Sequence, residues 1–188
     1  MLYNFEPQLA DIDSNSKRNR LDKIIDLMKS SRISIHDLSR TETIDPKTNE
    51  ALSPRFNMPF ELGIDWGIDH VTEKDYIKQI WILERSSFEL KRVLSDISGC
   101  DVKSHLNSER ADENAKHIVK HINDWIIDQE EPNAEFRHAH IWSLYLQFLA
   151  WLGVIRADTL SQSNKQLIKK MREWIQNDPD GLIKKVKT

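Results

Sequence analysis

Cysteine is nearly absent from this chain: Cys100 is the only one in 188 residues. A lone thiol excludes an internal disulfide framework and suits a reducing compartment, so a cytoplasmic location is expected. Glycine is scarce, with five residues, and none sits in a P-loop, G-x-G-x-x-G or G-x-S-x-G pattern. P-loop NTPases, dinucleotide-binding dehydrogenases and α/β-hydrolases therefore lose their usual marks. There is no excess of positive charge either. A formal charge of -3 argues against a nucleic-acid partner held by bulk electrostatics. Met1 to Glu6 has neither a basic start nor an apolar run, so no secretory leader is expected. The longest near-apolar run, Ile141 to Ile155, is shorter than the roughly 20 residues of a bilayer span. It also holds Ser143 and Gln147. It reads as a helix buried on most sides, by the core or by a partner subunit, and no membrane partner is expected.

What the chain does hold is enough apolar bulk for a core. Six Trp and six Phe are large units of buried area, and the length suits one domain with a full core, or one domain plus a helical appendage. Tyr3, Phe5 and Leu9 alternate over Leu2 to Ala10, which predicts a strand, at a sheet edge because of Pro7. Leu21, Ile24, Ile25 and Met28 have the spacing of one helix face, so a helix is predicted over 17–30. Arg32 to Asp37 reads as a short strand, with Ile33 and Ile35 on one face. A long loop follows over 39–55, of the length that lids and binding loops have. A helix then starts near Asn57 or Met58, with Pro59 in its first turn. Gly63 and Gly67 are i, i+4 neighbours on it, a smooth strip where a strand could pack closely. The run Ile80-Trp81-Ile82-Leu83 predicts a strand covered on both faces, as in a parallel sheet. Ser86 to Ile97 reads as a short helix and Cys100 to Lys103 as a short edge strand.

Beyond that the pattern is helical. Ala115, Ile118, Val119, Ile122, Trp125 and Ile126 form one stripe. Leu167, Ile168, Met171, Trp174 and Ile175 form another, stopped by Asp178-Pro179-Asp180-Gly181. The alternation of strand and helix up to about residue 104 means an α/β domain with a parallel sheet. The division expected is an α/β nucleotide-binding-like domain over 1–128 and a helical extension over 129–188.

Two roles fit Glu61. If Met58 is the cap residue, Glu61 occupies the third helical position, where a carboxylate bonds free backbone N–H groups. A carboxylate in a first helical turn is also kept ionised by the helix dipole, and can act as a nucleophile or stabilise an oxocarbenium ion. Asp37 ends a strand at the edge where open α/β sheets bind ligands. It is either a turn residue with His36 packed beside it, or an acceptor for ribose hydroxyls. Arg40 and Arg55 bracket the long loop, as solvated side chains or as a bidentate phosphate clamp. Asn57 reads as a helix cap or a ligand donor. His117 and His121 are i, i+4 on one helix, but no third ligand has a recognised spacing and H-E-x-x-H is absent. They read as a solvated helix face, and no metal is expected.

The stretches Ile35-His36-Asp37-Leu38-Ser39-Arg40 and Pro54-Arg55-Phe56-Asn57-Met58-Pro59-Phe60-Glu61-Leu62-Gly63 resemble a group of uncharacterised bacterial proteins. In that group an I-H-D-L-S-R strand end precedes an R-F-N-M-P-x-E-L-G helix start. Leu94 to Asp101 is similar to the group's D-I-x-G-x-D stretch. The group looks like the superfamily of nucleoside 2-deoxyribosyltransferases and TIR domains, which share a flavodoxin-like fold. The resemblance covers roughly residues 1 to 125. It implies a flavodoxin-like parallel sheet and a nucleotide-like ligand. Glu61 would work at C1′ of an N-ribosidic bond, and Asp37 and Asn57 would orient the sugar. His36, Arg40 and Arg55 would complete the binding set. NAD or a nucleoside would be substrate, with no separate cofactor. The group opens with an additional strand and helix that supply part of the pocket, and this chain starts at what corresponds to the second strand. Two functions stay open: an N-glycosidase or deoxyribosyltransferase using Glu61, and a non-catalytic module that senses a nucleotide or binds a protein. The apolar helix over 141–155 suggests a homo-oligomer through the C-terminal helices.

Overall fold

The computed structural model describes residues 5–9, 19–39, 48–50, 56–73, 77–97, 99–105, 108–129, 137–154 and 163–178. The chain divides into two compact units. One spans Gln8–Asn107; the other spans Ser108–Thr188 and takes in Met1–Pro7. The division drawn from the sequence fell at residue 128. The 111–129 helix belongs with the helices because it packs on the helix over 138–151.

In the first unit, α1 (Arg20–Ser30) leads into β1 (Ile33–Asp37). The Asn19 side chain caps α1 by accepting from the Leu21 N–H at 3.0 Å, and Ile24 and Met28 form its buried stripe. α2 (Asn57–Val71) joins β1 to β2 (Gln79–Glu84). The short α3 (Leu90–Val93) and one 3-10 turn (Ser95–Ile97) join β2 to β3 (Val102–Ser104). All pairings are parallel, in the order β1-β2-β3. β2 is the central strand, and Trp81, Ile82, Leu83 and Glu84 are all buried, as the continuous run at that position predicts. Ile33 pairs with Gln79 and Asp37 with Leu83, with no slot between β1 and β2 for a further strand. The strand order contains no reversal, so no topological switch point lies within the described sheet. One face of the sheet packs Ile80, Ile82 and Val102 with Leu38, Leu62, Leu90, Met58 and Trp66.

Three sequence expectations are corrected. Phe5 to Leu9 are irregular, not a strand; Pro7 fixes φ and offers no N–H to a ladder. The rest of that predicted strand lies outside the described residues. The helix predicted over 86–97 shrinks to α3 and the 3-10 turn. Its first part is a turn held by the buried Glu84 carboxylate, which accepts from the Phe88 and Leu90 N–H groups at 2.9 Å each. Phe88 adopts φ 68° there, a left-handed conformation that no helix start tolerates. Third, no strand approaches Gly63 and Gly67: a Cβ built on either meets nothing within 4 Å. Gly67→Ala is therefore expected to stabilise α2 by about 0.5–1 kcal/mol through helix propensity alone. A rise in the thermal midpoint of the dilute chain checks this.

The second unit holds α4 (Ala111–Gln129), α5 (His138–Trp151) and α6 (Asn164–Asn177). Its core is Leu144, Phe148 and Trp174, with Tyr145, Leu152, Leu167, Met171 and Ile175 packed against them. Phe148 lies 5.9 Å from the Trp174 ring and 6.2 Å from that of Trp151. α6 opens with a capping box, in which Ser163 Oγ accepts from the Gln166 N–H while Gln166 Oε1 accepts from the Ser163 N–H. It stops at Asp178, which turns left-handed at φ 39°. Arg172 of α6 pairs with Glu6. α5 is buried on one side, not on most sides: Leu144, Phe148 and Leu149 are inside, while Ser143, Leu146, Ala150 and Trp151 are exposed. Its predicted end at Ile155 lies outside the described residues. No helix among the described residues is long and apolar enough to cross a membrane.

Candidate functional site

β1 alternates in an unexpected sense. Ile33 and Ile35 share one face of the strand, but Ile35 is 44% exposed while His36, on the other face, is 4% exposed. The buried face of β1 carries Ser34 and His36 because α2 presents a carboxylate to them. Asp65, fully buried, accepts from Ser34 Oγ, and from His36 Nε2 at 3.0 Å. Its other oxygen lies 3.0 Å from Lys78 Nζ, whose side chain is also fully buried, just before β2. Lys78 further donates to the Met28 carbonyl at 2.6 Å and the Ser31 carbonyl at 3.0 Å. These are orphan carbonyls at the C-terminal end of α1, where a cation also meets the negative end of the helix dipole. One carboxylate and one ammonium thus tie α1, β1, α2 and β2 together. Burial works against ionised Asp65, but hydrogen bonds from His36 and Ser34 and the Lys78 ammonium outweigh it and hold the pKa below its ordinary value. The order of contacts is not that of a catalytic triad. Ser34 reaches the carboxylate directly, and not through the imidazole.

Glu61 does not cap its helix. The N-cap is Phe56, which makes no side-chain cap bond, so Glu61 falls at the fifth helical position, in the second turn. Its side chain is 12% exposed and meets Arg20 Nη1 at 3.5 Å, on an arginine that is 67% exposed. Asn57 occupies the first helical position and is exposed. It is not the cap, because the chain already enters helical geometry at Phe56. Arg40 and Arg55, with most of the 39–55 loop, lie outside the described residues.

Asp37 sits at the carboxyl end of β1, on the face that alternates with Ser34 and His36. Its Oδ1 accepts from the Ser39 N–H at 3.0 Å and lies 3.3 Å from His105 Nε2, just past β3. The pair spans the central strand, where Asp37 registers with Leu83 and Leu83 with Lys103. Burial disfavours ionised Asp37, yet the contacts with His105 and Ser39 prevail and lower its pKa from the ordinary 3.8. The structure therefore gathers His36 with Ser34, Asp65 and Lys78, and Asp37 with His105. It does not join Asp37 to Glu61 through any shared partner among the described residues.

The two lowered carboxyls set an acid limit. A group with a depressed folded pKa adds stability above its unfolded pKa and loses it as pH falls through the folded value. Stability is therefore expected to decline on acidification below about pH 4. Asp37→Asn is expected to flatten that acid limb in urea titrations at several pH values.

Asp65, Lys78 and His105 went unnoticed in the sequence. A signal existed for the first two: an acid flanked by Ile64 and Trp66, and a lysine against an apolar strand. Nothing local marks His105, because its partner lies two strands away. His117 and His121 are half-buried, not a solvated face, and their rings meet edge-on at 4.4 Å. No group of three or more His, Cys, Asp or Glu able to hold a metal occurs among the described residues. The chain matches no protein-family model, no curated protein and no solved structure.

Proposed function

We propose that residues 8–107 bind a nucleotide or nucleoside near the carboxyl end of β1 and act on its N-ribosidic bond, with Glu61 as the working carboxylate. In this proposal the α/β unit is related to nucleoside deoxyribosyltransferases and TIR domains. The observation that carries it is the state of Glu61. Its carboxylate is not consumed by its own helix, and its described tie is a long contact to an exposed arginine, which a ligand can displace. A carboxylate mostly withdrawn from water stabilises an adjacent oxocarbenium ion more strongly than a solvated one. In hydrolysis the water oxygen bonds to C1′ and the C1′–N bond breaks. Its electron pair passes to the base nitrogen; the base of a nucleoside takes up the proton released by water, whereas nicotinamide leaves NAD as a neutral ring and that proton goes to solvent. NAD or a nucleoside serves as substrate, and no separate cofactor enters.

Incubation with NAD and a panel of nucleosides, beside Glu61→Gln, tests this by chromatography of the released base. Release by the wild type with a loss of at least about 100-fold in Glu61→Gln is expected. Equal release by both, or none, overturns the role of Glu61. One observation favours the second reading, a non-catalytic nucleotide-sensing or protein-interaction module: Asp37 is engaged by His105 and lies on the face of β1 away from the Asp65 side. Thermal stabilisation by a nucleotide without base release is the outcome that reading predicts.

A further inference from the structure

Phe88 holds a backbone conformation that bulky residues avoid. Its φ is 68°, a left-handed value at which the Cβ crowds the following carbonyl oxygen. Burial does not compensate, because Phe88 is 67% exposed. Nor is the turn a slack loop tip. The buried Glu84 carboxylate, at the end of the central strand, accepts from the Phe88 and Leu90 N–H groups at 2.9 Å each. The Glu89 carboxylate accepts from the Ser86 N–H at 3.2 Å. Ser87 Oγ lies 2.9 Å from Ser104 Oγ, at the end of β3. Leu90 is locked into the core with Leu38 and Leu62. The surroundings therefore fix a strained backbone whose aromatic side chain stands in solvent. Strain held in this way gathers at ligand clamps.

The ring also stands at the edge of the sheet that takes ligands. Phe88 follows β2 at its carboxyl end, where open α/β sheets bind small molecules. Asp37, at the end of β1, and His105, just past β3, share that edge. Leu38 and Leu90 pack in one cluster with Met58 of α2, which brings the starts of α2 and α3 to the end of β1. Lys91 Nζ lies over the Phe88 ring, 4.9 Å from its centroid, and engages one face as a cation. The exposed neighbours of Phe88 are Ser87, Lys91 and Arg92. This is a lone aromatic in polar surroundings, not the broad apolar patch that a protein partner needs.

We infer that Phe88 is the platform on which the base of a nucleotide stacks. The inference rests on the nucleotide reading given above and adds the group that recognises the base. A bare ring face offers no donor or acceptor pattern, so it selects for a flat π-faced ring without choosing among bases. The two cations beside it suit the phosphate that such a base carries.

Calorimetric titration of the full chain with AMP and with ribose 5-phosphate, which differ in the base, tests the platform. Stacking on an aromatic ring is worth roughly 5- to 150-fold in affinity, so the wild type is expected to bind AMP at least about tenfold more tightly. Phe88→Leu keeps apolar bulk but has no π-face. It should lose most of that advantage and leave ribose 5-phosphate binding unchanged. Phe88→Gly should do the same and yet raise the thermal midpoint, since glycine takes the left-handed conformation without strain. A packing role for Phe88 gives the reverse, a lower midpoint, and that outcome overturns the inference. So does AMP binding that is absent, no tighter than that of ribose 5-phosphate, or indifferent to Phe88→Leu. The catalytic reading fails separately, through the release assay with Glu61→Gln. AMP binding that depends on Phe88 without any base release sinks that reading and leaves the platform standing.

Discussion

Lys78→Met is expected to cost the α/β unit about 3–5 kcal/mol, because it leaves a buried carboxylate without its cation. Asp65 has no exposed surface, so water cannot replace the ammonium, and the Met28 and Ser31 carbonyls lose their described side-chain donor as well. Domains of this size are stable by roughly 5–15 kcal/mol in total, so the loss is a large share of what holds the unit folded. Asp65→Asn should be comparably damaging in the other direction, stranding the buried Lys78 charge among carbonyls. The informative variant is the double one. Lys78→Met with Asp65→Asn removes both charges and should cost less than the sum of the single changes by at least about 1 kcal/mol. Urea denaturation of the four proteins measures this. Strict additivity would mean that the two groups do not act as a pair.

The second large effect lies in the helical unit. Phe148 is 1% exposed and is central to the cluster with Leu144 and Trp174. Phe148→Ala removes a large ring between two helices that are not bonded to each other through backbone, and is expected to cost about 3–5 kcal/mol. Leu146→Ala, two residues away on the exposed side of α5, should stay within about 0.5 kcal/mol. Denaturation followed by circular dichroism separates the two. If both changes cost the same, the assignment of the buried side of α5 is wrong.

These contrasts show where sequence periodicity speaks and where it fails. The run Ile80 to Leu83 could only be a strand covered on both faces, and β2 is that strand. The stripe from Leu167 to Ile175 and the stop at Asp178 were equally plain, since caps and apolar spacing are local. The orientation of β1 is not legible for the opposite reason. Its isoleucines share one face without fixing which way that face turns, and an acid on α2 with a lysine before β2 draws Ser34 and His36 inward. That choice depends on three segments far apart in sequence, and no local window contains it. Glu61 stood out through its motif, yet its cap role depended on where the helix begins, and helix starts shift by a residue or two without a polar cap to fix them. The pairing of Asp37 with His105 depends on strand order alone.

The most direct test of the functional reading is an amide chemical-shift map of the full chain titrated with NAD and with nucleosides. The account predicts saturable shifts at Asp37 to Ser39 and at Asn57 to Glu61, altered in Glu61→Gln. Saturable shifts confined to other segments, or none at any ligand concentration, would contradict it.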